Sequence, residues 1–337
     1  MNQLRFREGD FIETSEGLIF DVKGMVHPPD RVIAYLRYFP SESGSRERLG
    51  VRYQKVYDLS ARAKLLRKRW PQYLYRDPIF NRQFQAVPLG DITKHYLPTD
   101  KLTQLRRAKG PDNLQQAAID LTGILAKEAR VPVSKIGVSG SILVDLHRSK
   151  SDLDIVLYGA SIARKCYRGL QRLLSARSDG FHPYTKKELY SLYVQRKQRA
   201  SMPFEAFVRH ERPKLLQGKF TGIDYFIRCV REWDECKEDY GDKRYQPAGR
   251  ATVRAMIGDD TDSIFTPCSY RLINLESSRR RPEPSQIVSL RGRFCEQAHK
   301  HERVRARGTL ERVVDGRRAE SRLIIGEHPR DYLMVVG

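Results

Sequence analysis

The chain has 337 residues, of which 40% are hydrophobic and 31% charged, and its 62 Lys and Arg outweigh 41 Asp and Glu to give a net charge of +21. That length predicts more than one core at roughly 150 residues per domain, and that charge points to polyanion partners, either nucleic acid or nucleotide phosphates. No apolar run reaches the roughly 18 residues of a membrane span, and the opening MNQLRFREGD has no apolar signal core, so no membrane partner is expected and a cytoplasmic protein is.

The N-terminal stretch predicts strands over 10–14, 18–26 and 31–39, the first two joined across Ser15-Glu16-Gly17. A loop is expected over 41–50, a strand over 53–59, and a basic helix over 61–70 capped by Ser60 and stopped by Pro71. Residues 71–98, punctuated by Pro78, Pro88 and Pro98, read as irregular. Next, Leu114, Ala117, Ala118, Leu121, Ile124 and Leu125 fall on one face of a helix opened by Pro111. A strand over 131–138, Gly140-Ser141 with a short helical stretch, and a strand over 152–158 follow. Ser161 is expected to cap an amphipathic helix carrying Ile162, Cys166, Leu170, Leu173 and Leu174. A basic helix over 186–199 contains Tyr190 and Tyr193, whose spacing suits core packing as well as base stacking, and a strand over 222–230 closes the central region. The last hundred residues read as five or six short strands, a small barrel or sandwich. The charge is uneven, with residues 160–219 holding 14 Lys or Arg and 4 Asp or Glu, and 220–263 holding 7 and 10. The five cysteines are odd in number, and Cys229 and Cys236, the nearest pair, lack zinc-knuckle spacing, so free thiols are expected.

The chemistry concentrates in Gly140-Ser141 followed, ten residues on, by Asp152-Leu153-Asp154-Ile155. Carboxylates at i and i+2 of a strand share a face, and two such neighbours repel unless a cation neutralises them; hard oxygen ligands suit Mg²⁺. Gly140 admits a phosphate close to the backbone, and Ser141 offers it a hydroxyl. Asp259, Asp260 and Asp262 form a further acidic cluster that lacks the calcium-loop pattern and reads as a turn.

These residues resemble the DNA polymerase beta-like nucleotidyltransferases, whose pattern is an apolar residue, Gly and Gly or Ser, a gap of about ten residues, then Asp, an apolar residue and Asp or Glu. Asp10-Phe11-Ile12-Glu13, the 22–29 segment and Asp262 to Cys268 also look like an archaeal group of predicted nucleotidyltransferases. The resemblance implies Asp152, Asp154 and a third carboxylate, Asp224 in the run 220–227, as catalytic residues holding two Mg²⁺ ions, with Gly140 and Ser141 on the phosphates of an NTP substrate. Arg209, Arg212 and Lys214 are further candidate phosphate contacts, with a solvated basic loop as the alternative.

The fold expected is α+β: a β-rich N-terminal domain over 1–105, a nucleotidyltransferase domain over 106–240 with a mixed sheet and helices, and a C-terminal small β-barrel over 241–337, OB-like and a candidate RNA binder. The function expected is Mg²⁺-dependent transfer of a nucleoside monophosphate to an RNA hydroxyl, with tRNA favoured. The alternatives are a protein or small-molecule acceptor, and a non-catalytic RNA-binding protein on this scaffold.

Overall fold

The chain is a mixed α+β protein with several sheets, described by a computed structural model over residues 5–178, 180–196, 202–276 and 283–336. Two compact units divide it. Met1–Pro78, Arg82–Leu173 and Phe220–Tyr240 form one, and Ile79–Asn81, Leu174–Lys219 and Gly241–Gly337 form the other. The N-terminal strands and the Asp152–Asp154 motif therefore lie in the same unit. Among the described residues, no helix is long and apolar enough to cross a membrane.

In the first unit an antiparallel sheet runs Arg46–Arg48, Val51–Lys55, Arg31–Pro40, Ile19–Val22, Phe11–Thr14 and Ile92–Tyr96 in spatial order. The loop expected over 41–50 contains the first of these strands, which pairs with the second across Leu49-Gly50, both at positive φ (51° and 77°). Such a two-residue turn matches the twist of the strands it joins, but its usual Asn-Gly or Asp-Gly signal is missing here. Residues 71–98 are likewise more regular than expected. Leu74–Asp77 and Arg82–Pro88 form a hairpin that adds to residues 31–33, so Pro78 and Pro88 end strands instead of breaking them. The basic helix spans Leu59–Arg69 and is capped by Asp58, whose Oδ1 accepts from the Ser60 and Ala61 amides at 2.8 and 3.0 Å, not by Ser60.

One irregularity in this sheet matters for the site. Ile19 pairs with Tyr38 and Phe20 with Leu36, leaving Arg37 as the extra residue of a β-bulge. The bulge exchanges the faces of the strand: Leu36 packs in a core with Ile12, Phe20, Val22 and Ala34, whereas Tyr38 packs in the opposite one with Phe11, Ile19, Tyr53 and Tyr96. The second core also contains Leu143, Val144 and Leu146, directly after Gly140-Ser141, so the N-terminal sheet is packed onto the segment that leads to the acid pair.

The strand Leu153–Tyr158 pairs in parallel with Ile223–Val230 and antiparallel with Ile136–Val138. The helix Asn113–Ala129 buries Leu114, Ala117, Ala118, Leu121 and Leu125, the face its spacing predicts, but its cap is Asp112 in a full capping box with Gln115. Asp112 also takes His147 Nε2 at 2.7 Å. Burial would raise its pKa, but the His147 bond and the helix amides hold it below the ordinary value of 3.8. Asp112→Ala is therefore expected to cost about 1 kcal/mol, the worth of a typical cap, and to lower Tm by roughly 2–4 °C. Because the folded pKa is depressed, the contribution is complete above the unfolded value and lost as pH falls through the folded one, so thermal melts of both proteins should converge in acid.

In the second unit Lys243–Asp259 pairs with Cys268–Ile273, that strand with Gln286–Ser289, and Gln286–Ser289 in parallel with Arg318–Ile324. Arg318–Ile324 pairs with Arg303–Asp315, which returns to Lys243–Asp259 and closes the circuit, while Tyr332–Val335 adds to the outer side of Arg303–Asp315. Val253, Ala255, Ile257, Val304, Ala306 and Leu310 are buried, and the alternate Arg254, Arg303 and Arg305 are exposed. Residues before Lys219 are stitched to this sheet system: Glu296 accepts from the Leu215 and Leu216 amides at 2.7 and 3.1 Å, and His210 Nδ1 lies 3.2 Å from the Gln297 carbonyl. The run Arg279-Arg280-Arg281 lies outside the described residues.

Candidate active site

Parallel pairing sets Leu153 opposite Tyr225, Asp154 opposite Phe226 and Val156 opposite Arg228. Directly opposed residues share a face, so one face carries Asp154, Val156, Phe226 and Arg228, and continuing the alternation by one step brings Asp152 and Asp224 to that same face. The other face buries Leu153, Ile155, Leu157, Tyr225 and Ile227. Asp152 and Asp224 are exposed, and Asp154 lies deeper, with one edge still open to solvent.

Gly140 sits hard against that carboxyl. Its φ is +63°, and a Cβ built on it would overlap Asp154 Oδ2 and lie 2.7 Å from Asp154 Cγ. The Ser139 amide donates to the Asp154 carbonyl at 2.8 Å and Ser139 Oγ to the Gly9 carbonyl at 2.6 Å, which clamps this segment along the strand edge. Ser141 Oγ is buried with no hydrogen-bond partner among the described residues, so its bond is left for water or a ligand to supply. The helix that Gly140 opens ends at Leu143, a single turn, too short for an extended helix dipole to attract an anion.

Burial, and then the negative charge of Asp152, push the Asp154 carboxyl up to about 7, against the opposing pull of Arg228, Lys55 and Arg37. Among the described residues no three His, Cys, Asp or Glu converge closely enough to hold a metal by themselves. Asp152 and Asp154 nevertheless fit Mg²⁺, which commonly takes one or two carboxylates and completes its shell with water and substrate phosphate. Asp224, one strand away on the same face, is not drawn into a three-ligand cluster with them.

Cations that lie outside the sequence motif surround this pair. Arg228 Nη1 donates to Glu8 Oε1 at 2.6 Å; Glu8, 1% exposed, also accepts from Lys23 Nζ at 3.1 Å and the Gly24 amide at 2.7 Å. This buried network holds Arg228 beside Asp154. Lys55 stands opposite Tyr38 across the sheet, with Nζ 5.9 Å from the Tyr38 ring centroid and 4.7 Å from that of Tyr57. Arg46 Cζ lies 5.7 Å from the Tyr38 ring, and its Nη1 donates to the Leu146 carbonyl. The one available signal was Arg37 itself, a lone charge inside the apolar run Val32 to Phe39.

Arg209, Arg212 and Lys214 belong to the other unit. Lys214 is corrected as a phosphate contact: it is buried, and its three ammonium hydrogens are used by Glu211 Oε1 at 2.9 Å, the Arg293 carbonyl at 2.7 Å and Gln297 Oε1 at 2.9 Å. Arg209 and Arg212 are exposed. Tyr193 is a packing residue, its hydroxyl bonded to the Met202 carbonyl and its ring against Phe204 and Phe207, whereas Tyr190 is exposed with one edge on Phe204. The Asp259 turn is as expected, with Oδ1 accepting from the Thr261 amide at 3.0 Å.

No family model and no solved structure matches the chain. It is similar to the uncharacterized protein MJ1086 of Methanocaldococcus jannaschii, 28% identical over an alignment of length 333 that covers 96% of each chain. The similarity thus runs through both compact units.

Proposed function

We propose that the first unit is a Mg²⁺-dependent nucleotidyltransferase that moves a nucleoside monophosphate from an NTP to a hydroxyl. The observation that carries this reading is the Asp152–Asp154 face with Gly140 wedged against Asp154 and Ser141 Oγ buried without a partner beside it. Asp152 and Asp154 would hold the metal, which would neutralise the triphosphate and lower the pKa of the acceptor hydroxyl. Gly140 lets the Asp154 carboxyl lie against the backbone, Ser141 Oγ would donate to a phosphate, and Arg228 remains as a fixed cation on the same face. Asp224 is the candidate to accept the acceptor's proton from its place one strand over. Incubating the purified protein with each labelled NTP, Mg²⁺ and total cellular RNA tests the reading: label should enter RNA. Label in protein or a small molecule would change the acceptor, and no labelled product with any NTP would leave binding alone.

The case for RNA rests on the second unit. Its pairing circuit, with a parallel contact between the third and fifth strands, supports an OB-like barrel, a fold that often binds oligonucleotides. Arg254 and Arg305 are directly opposed and both exposed, a like-charge pair that weakens a sheet unless an anion spans it. In the full chain, Arg254→Gln with Arg305→Gln should weaken RNA binding and flatten the log–log salt dependence by about 0.7 per lost single-strand phosphate contact, while NTP affinity and Tm hold or Tm rises. An unchanged salt slope would remove the barrel from the RNA reading. Truncation near 245 is a poorer test, because it strips Glu296 and Gln297 from the 210–216 segment.

A further inference from the structure

We infer that Arg37 and Lys55, presented by the N-terminal sheet, form a phosphate-binding wall facing the Asp152–Asp154 pair, and that its ligand is the triphosphate of the incoming nucleotide. The inference rests on the nucleotidyltransferase reading and assigns the N-terminal sheet a part in the site.

The bulge at Arg37 sets the geometry. Without the extra residue, the face exchange between Leu36 and Tyr38 would not occur. With it, Tyr38 joins the core of Leu143, Val144 and Leu146, and Arg37 beside it lies 5.9 Å from the ring of Tyr57, as Lys55 lies 4.7 Å from it. Arg37 and Lys55 are close enough to Asp154, and Lys55 to Asp152, to act on them through space, yet among the described residues neither cation is drawn into an ion pair within 4 Å. Each retains some solvent exposure, and Tyr57, 56% exposed, lies beneath both, 5.9 Å from Arg37 Cζ and 4.7 Å from Lys55 Nζ. Burial and Arg37 push the Lys55 ammonium below its ordinary value, and Asp152 pulls the other way.

Two cations held side by side repel, and two carboxylates held side by side repel. The two pairs are opposite in charge and act on one another through space without an ion pair between them. A metal-bound polyphosphate has that division of charge, its cation toward carboxylates and its oxygens toward Arg and Lys. Arg46 and Arg228 are less suited to the ligand, being tied to the Leu146 carbonyl and to Glu8. This wall also takes over the role that Lys214, with its hydrogens used, does not fill.

The test uses full-length Arg37→Gln and Lys55→Gln proteins and calorimetric binding of Mg·ATP, AMP, inorganic tripolyphosphate, a 5′-phosphorylated oligoribonucleotide and Mg²⁺ alone. Each substitution should weaken Mg·ATP and tripolyphosphate about 10- to 100-fold, the size of a lost charged hydrogen bond, and AMP far less. Mg²⁺ alone should bind more tightly, because a cation has left the neighbourhood of its ligands. Arg37→Lys should restore most of the triphosphate affinity, which a change in packing would not, and unchanged melting temperatures would confirm the fold. Should Mg·ATP affinity hold while only a 5′-phosphorylated oligoribonucleotide is lost, the wall serves the acceptor and the assignment to the triphosphate is overturned. Unchanged binding of every phosphate ligand would overturn the wall itself; if Asp152→Asn still abolishes Mg·ATP binding, the nucleotidyltransferase reading survives that result. Conversely, tripolyphosphate binding that depends on Arg37 and Lys55, without any metal-dependent nucleotide binding, would keep the wall and remove the enzyme.

Discussion

Asp152→Asn or Asp154→Asn should reduce nucleotidyl transfer by about 10³-fold or more while the protein stays folded. A divalent metal contributes several kcal/mol to a phosphoryl-transfer barrier, and each 1.36 kcal/mol is about tenfold in rate. Neither carboxylate is a packing element: Asp152 is exposed, and Asp154 is held against the charge of its neighbour. The stability readout has a sign of its own. In the metal-free protein the Asp154 pKa is raised from 3.8 to about 7 by burial and by Asp152, so its folded-state contribution is intact below the unfolded pKa and is lost as pH rises through about 7. Asp154→Asn should therefore raise Tm relative to wild type at pH 8 in EDTA, with the difference narrowing toward pH 4. Turnover at the wild-type rate by either variant in a metal-titrated assay would sink the site.

Gly140→Ala should cost much of the activity, although it adds only one methyl group. The new Cβ would occupy the place of Asp154 Oδ2, and at φ +63° any side chain adds strain of roughly 1–2 kcal/mol. The carboxylate must move, and a displacement of about 1 Å is enough to cost on the order of 10²-fold. Gly110→Ala separates the two effects, since Gly110 has φ +71° but nothing within 4 Å of its Cβ. That control should lose about 1 kcal/mol and keep its activity. Equal losses of activity in both would mean that backbone strain, not contact with Asp154, explains Gly140.

What could be read from the sequence is what local periodicity encodes. The i, i+2 spacing put Asp152 and Asp154 on one face, and the three- and four-residue spacing of Leu114 to Leu125 placed the buried face of its helix, because both depend only on the repeat of a strand or a helix. Helix starts shift by a residue or two: Asp58 takes the cap expected of Ser60, since neighbouring polar residues compete for the same helix amides, and the helix expected to open at Pro111 begins at Asn113 under an Asp112 cap. Tertiary structure decided the rest. Lys214 reads like any solvent-facing lysine until Glu211, Gln297 and the Arg293 carbonyl, the last two some eighty residues away, close around it. Arg37 reads as a misplaced charge until pairing with Ile19 and Phe20 forces a bulge and exposes it on the side of the acids, more than a hundred residues along the chain. A bulge depends on the register between two strands, and a saturated ammonium on three acceptors brought together by folding, so neither is written in any one segment.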